Sequence, residues 1–123
     1  MSGHAERRAE DLFAGCPRGL LLCDEVQRIV CALGEVAVTV TKSQVAFRRR
    51  KGFAYVWRPG QYVASDVPAV LSIALPFEAA PDRFKEVVHP SRRVWMHHLE
   101  LHDAGQLDDE VRGWLADAYA NAG

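Results

Sequence analysis

Long apolar runs are missing from this chain, and so are the residue spacings that announce a chemistry. No stretch approaches the ~20 apolar residues that cross a bilayer, and the opening MSGHAERRAEDLFAGC has no apolar signal core. A cytoplasmic protein with no membrane association is therefore expected. No Cys-x-x-Cys, phosphate-binding loop, nucleophile motif or metal-ligand signature stands anywhere in the 123 residues. The order Asp82, Lys85, Glu86 fails the acid, acid-x-lysine pattern of metal nucleases. Repeats and low-complexity segments are absent, so all linkers are short. Cysteine is scarce and odd in number, at Cys16, Cys23 and Cys31. Cys23 and Cys31 fall eight residues apart in one helical pattern, about 12 Å along the axis, too far to bridge. They read as small buried hydrophobes in a reducing compartment. Cys16 precedes Pro17 and neighbours Arg18, where a helix start favours a thiolate, but only His4 is near it in sequence. A catalytic cysteine is not expected.

What is present is ordinary globular usage, 49% hydrophobic and 25% charged, in a length that makes one domain. A chain of this size buries roughly two thirds of its unfolded surface, enough for a core without staples. The net charge of −1 conceals a polar arrangement. Lys42 to Arg58 carries six cations and no acid, while Leu101 to Gly123 carries five acids against Arg112 alone. This is a local basic patch, not a surface that coats nucleic acid.

Periodicity supplies the elements. Residues 1–16 read as an arm or short helix, Ala5 to Phe13, broken at Cys16-Pro17; residues 17–123 form a single α+β domain. Pro17 suits the first turn of a helix with Leu21, Leu22, Val26, Ile29, Val30 and Leu33 as its buried stripe, ended by a left-handed cap at Gly34. From Glu35 the period becomes two. Strands are expected at Val36–Val40, Val45–Arg48 and Phe53–Trp57, the last pair placing Val45, Phe47, Phe53, Tyr55 and Trp57 on one face. Ala69 to Leu75 is continuously apolar, as a central strand is. Pro76 and the Ala79-Ala80-Pro81-Asp82 stretch make a loop before a last hairpin, Phe84–Val88 and Val94–Leu101, turning at Pro90-Ser91-Arg92. Leu107, Val111, Trp114, Leu115, Ala118 and Tyr119 form the stripe of a closing helix whose first turn is acidic. The architecture is N-terminal helices, an antiparallel meander of about six strands, and a C-terminal amphipathic helix packed on one sheet face.

The segments TKSQVAFRRRKGFAYVWRPGQYV, VLSIALP, RFKEVVHPSRRVWMHHLEL and LDDEVRGWLADAY cover nearly everything from Glu35 to Tyr119. They resemble an uncharacterised bacterial family, domain of unknown function 5655. More distantly, the layout is similar to domains labelled "predicted transport protein". The resemblance implies the α+β fold and transfers no catalytic residue.

Three constellations bear on function. Strand alternation puts His97 with Trp95, Leu99 and Leu101, and His98 with Met96, Glu100 and His102. The second set offers ligands His98, Glu100 and His102 at i, i+2 and i+4, against the plainer reading of a solvated polar face. Lys85-Glu86 lies across the expected hairpin, where Glu86 with His97 or His98 would make an acid–base pair if buried; an exposed cross-strand ion pair is the plainer reading. Arg48-Arg49-Arg50-Lys51 could contact phosphates beside Tyr55 and Trp57, but cations at a hairpin tip also guard a sheet edge. The expectation is a small soluble module that binds a small molecule or a protein, without catalysis or cofactor, as a monomer or homodimer. Its expected pocket lies between sheet and helices, lined by Trp57, Lys85, Trp95 and His97 with Arg48 and Arg50 at the rim. The rivals are an enzyme using His97 or His98 with Glu86, and a nucleic-acid-associated module using the basic hairpin.

Overall fold

The computed structural model describes residues 8–61, 64–79 and 81–123, with the side chains of Gln61 and Pro81 left aside. Over the described residues it is an α+β fold of three α-helices and one open six-stranded antiparallel sheet. The helices are α1 (Ala9–Leu12), α2 (Pro17–Cys31) and α3 (Asp109–Asn121). The strands are β1 (Ala37–Val40), β2 (Val45–Arg48), β3 (Gly52–Trp57), β4 (Ala69–Leu75), β5 (Glu86–Ser91) and β6 (Val94–Leu101). Among the described residues no helix is long and apolar enough to cross a membrane. The expected arm lies outside the described residues up to Arg7, as do Tyr62, Val63 and Ala80; from α1 onward Leu12 and Phe13 are buried in the common core.

The two longer helices begin as their sequences direct. Pro17 opens α2, where its missing N–H costs nothing. Asp108 caps α3 by accepting from the Val111 N–H at 3.1 Å, and Asp109 and Glu110 occupy the positive end of its dipole. Val111, Trp114, Leu115 and Ala118 are buried against the sheet, the stripe the period of 3.6 dictates. Gly19 lets the start of α2 press against Phe13 and the Pro68 carbonyl; a Cβ there would meet them at 2.5 and 2.6 Å.

Two expectations for α2 are overturned. Leu21 is 70% exposed and Leu33 is exposed too, because the helix turns Leu22, Cys23, Val26, Ile29 and Val30 to the core instead. The left-handed cap is absent: Ala32, the C-cap, is right-handed, and Gly34 lies at φ 156°. There the missing Cβ makes room for the Tyr119 hydroxyl, which donates to the Glu35 carbonyl at 3.4 Å.

The strand order is β1-β2-β3-β4-β6-β5, so the simple meander expected holds only through β4. After β4 the chain crosses to the far edge, lays down β5, and returns as β6 between them. Residues 81–85 bring that crossing over the helix side, where Phe84 packs 4.8 Å from Trp114 and Arg83 binds Asp108 and Glu110. Phe84 is thus a core residue before β5, not its first residue, and the β5–β6 turn is Arg92-Arg93, not Pro90-Ser91-Arg92. β4 is the central, almost wholly buried strand its composition announces.

The single face expected for Val45, Phe47, Phe53, Tyr55 and Trp57 splits in two. The register pairs Val45 with Val56 and Phe47 with Ala54, so these four face the helices. A bulge at Phe47/Arg48 inserts a residue in β3, and Phe53 turns to the same side as Ala54, edge-on to Tyr119 at 5.6 Å. Tyr55 and Trp57 are left on the opposite face, which no helix among the described residues covers.

Candidate functional site

The split divides the expected lining residues between two faces. Trp95 and His97 lie on the helix side, while Trp57 and Lys85 belong to the open side and its rim. His97 is fully buried and its imidazole is spent on backbone. Its Nε2 accepts from the Ala79 N–H at 3.0 Å, and its Nδ1 donates to the Trp95 carbonyl at 2.9 Å and the Ile73 carbonyl at 3.3 Å. This histidine pins the crossing loop to β6 and is closed to any ligand. Lys85 is exposed and pairs with Glu100 at 3.2 Å. Arg48 and Arg50 stand apart from all of these, in a groove with Glu35 and Tyr119.

The basic run has a local task that no periodicity announces. The N–H groups of Arg50 and Lys51 both donate to the Ala122 carbonyl, at 2.9 and 3.1 Å. Arg49 donates to the Tyr119 carbonyl at 3.2 Å and lies 4.4 Å above the Tyr119 ring. The β2–β3 turn therefore caps the carbonyl end of α3 and places positive charge at its negative pole.

The three candidate metal ligands are not brought together. His98 is committed to Ser72, Glu100 to Lys85, and His102 lies past the end of β6 beside Gln106. Among the described residues no group of three His, Cys, Asp or Glu could hold a metal ion. The cysteines are all free. Burial, with Asp24 adding to it, pushes the Cys23 thiol up to about 12, which makes it an inert core group. Cys31 is exposed, contrary to the buried hydrophobe expected, because it falls on the outer side of the last turn of α2.

The open face carries a hollow with fixed polar groups at its base. A depression of about 470 Å³ is lined by Ser43, Gln44, Tyr55, Trp57, Met96 and His98, with Ser72 at its base. Adjacent strands β3, β4 and β6 set Tyr55 beside Ser72 and Ser72 beside His98. The Trp57 Nε1–H donates to Ser72 Oγ at 2.9 Å, since an indole nitrogen can only donate. Ser72 Oγ is hydrogen-bonded to His98 Nδ1 at 2.6 Å, and the tautomer in which the hydroxyl donates carries the imidazole proton on Nε2. The Trp57 and His98 rings meet edge to face at 6.2 Å. Burial lowers the His98 pKa below the ordinary 6.5; the Glu86 carboxylate across the β5–β6 ladder partly opposes this, and His97 adds to it. His98 Nε2 has no protein partner among the described residues.

The sequence puts Trp57 in a pocket lining and Tyr55 on its face, but does not single out Ser72 or Met96 as their companions. The signal was available in part. A lone serine inside the apolar strand VLSIALP is a buried hydroxyl that requires partners.

A family model described as "Domain of unknown function (DUF5655)" matches residues 9–122, nearly the whole chain. Neither a curated protein nor a solved structure matches it.

Proposed function

We propose that this chain, which belongs to the DUF5655 family, is a small ligand-binding module without catalysis, and that its site is the depression on the open sheet face. The observation that carries the reading is the Trp57–Ser72–His98 relay set among aromatic and thioether side chains. Apolar walls with a few fixed polar groups are the usual form of a small-molecule site, and the volume lies in the usual range. The relay locks the indole and imidazole in place and turns the Nε2–H outward, so a ligand meets a preorganised donor. The chemistry suits a flat, uncharged ring bearing a carbonyl or similar acceptor. The three free cysteines support a reducing, cytoplasmic setting.

The enzyme alternative finds a hydroxyl–imidazole pair here but no means of using it. Ser72 is 3% exposed, and β4 is paired on both sides, so neighbouring backbone N–H groups are spent in the ladder and cannot stabilise an oxyanion. Glu86 is exposed and acts on His98 only through space.

The test is a titration of ¹⁵N-labelled protein with benzamide, following the tryptophan indole N–H signals. The Trp57 signal should move at millimolar probe, and Trp57→Ala or His98→Ala should weaken binding about tenfold, roughly 1.4 kcal/mol. An unmoved Trp57 signal overturns the reading. Hydrolysis of p-nitrophenyl acetate that is lost in Ser72→Ala would replace it with the enzyme.

A further inference from the structure

The other side of the sheet holds a second cleft of different chemistry. β3 begins, β4 ends and β6 begins at one end of the sheet, as the pairings Ala54–Ile73 and Leu75–Trp95 require. Two turns far apart in sequence therefore meet there, residues 49–51 and Arg92-Arg93. Between them and the last turn of α3 lies a cleft of about 380 Å³. Lys51, Arg92 and Arg93 stand around it, over a floor that includes Phe53, Leu75 and Trp95. Asn121 is the other polar side chain of the lining, and no aspartate or glutamate contributes.

What marks this cleft is that three cations converge on one lining without an acid among its described residues. Arg28, Arg83 and Lys85 each meet a carboxylate. Lys51, Arg92 and Arg93 are exposed and meet none among the described residues. Three like charges around one apolar hollow repel one another, and an anion seated between them relieves that repulsion. The arginine forks match a carboxylate or a phosphate. Rim and floor are also held in place, because the Lys51 N–H is tied to the Ala122 carbonyl and the Trp95 ring is stacked on His89 at 3.8 Å.

We propose that this cleft binds a small aromatic anion, its ring on the Phe53–Leu75–Trp95 floor and its carboxylate or phosphate between Lys51, Arg92 and Arg93. A polyanion track is the poorer fit. Of the basic run, Arg49 is bound to Tyr119 and Arg48 and Arg50 share a groove with Glu35, so Lys51 alone is left to join the arginine pair. The site is independent of the open-face depression, from which the sheet separates it.

The experiment titrates the ¹⁵N-labelled full chain with phenyl phosphate, benzoate, benzyl alcohol, inorganic phosphate and a short oligothymidylate. Phenyl phosphate or benzoate should shift the Arg92 and Arg93 amides and the Trp95 indole, and the tighter of the two identifies the head group. Raising salt from about 20 to about 200 mM should weaken that binding several-fold. The double variant Arg92→Ala, Arg93→Ala should lose at least about tenfold in affinity. Both residues are exposed, so its melting temperature should be unchanged. Inorganic phosphate or benzyl alcohol binding as tightly as the aromatic anions overturns the proposal, as do shifts confined to Trp57 and His98. An oligothymidylate that binds tighter than phenyl phosphate replaces it with the nucleic-acid reading.

Discussion

His97 and His98 are neighbours in β6, yet the two faces of the sheet treat them in opposite ways. On the helix side His97 is sealed, and both ring nitrogens are satisfied by backbone from the crossing loop, from β4 and from β6 itself. On the open side His98 is half-buried, bonded through one nitrogen to Ser72 and open at the other. A polar group whose partners are all backbone serves the fold. One whose partners are side chains at a concave surface, with a donor to spare, is available to a ligand. The covered face therefore serves the fold, and the open face is where the proposed ligand site lies.

The sharpest way to break that comparison is to damage the covered face. Trp114 packs on Phe84 under the crossing loop, and Trp114→Ala should cost about 3–5 kcal/mol as a large core deletion. Asp117→Ala on the exposed side of α3 should stay within about 0.5 kcal/mol in the same denaturant melts. Comparable small losses from both would mean that α3 does not hold the sheet.

The two histidines give a paired test of intermediate size. His97→Leu strands the Ala79 N–H in the core and should destabilise by about 1–3 kcal/mol. His98→Leu frees only a serine hydroxyl still held by Trp57 and should cost less than about 1 kcal/mol, while weakening benzamide binding about tenfold. Reversal of that order in chemical melts would dissolve the division between faces.

The smallest expected effect is a pH dependence. Burial lowers the His98 pKa in the folded chain, so between the folded value and the unfolded value near 6.5 the unfolded chain binds more protons. The stability tied to neutral His98 is fully present above about pH 6.5 and is lost as pH falls through the folded value. His98→Gln should flatten that part of the profile. A wild-type stability independent of pH from about 7 to about 5 would show that the imidazole is not desolvated.

Elements governed by local periodicity were legible. The apolar run Ala69–Leu75, the alternation from Val94 to Leu101 and the stripe of α3 stand where their periods place them. The candidate site was less so. Its assembly depends on which residue of β3 lies opposite which residue of β4, and one bulge at Phe47/Arg48 was enough to part Phe53 from Tyr55 and Trp57. The basic turn at 48–51 carried no local sign that it would cap the carbonyl end of α3, seventy residues away at Tyr119.

By itself, the sequence determined the α+β class, the central strand, the amphipathic closing helix and the absence of a recognisable catalytic motif. These follow from side-chain period and composition, which act over a few residues. Only the tertiary structure decided that β6 inserts between β4 and β5, that His97 is sealed while His98 is open, and that two basic turns share one cleft. Those outcomes depend on register and on strand order. Both are set by how the whole chain buries its apolar surface and satisfies its backbone, and no short window of residues contains that information.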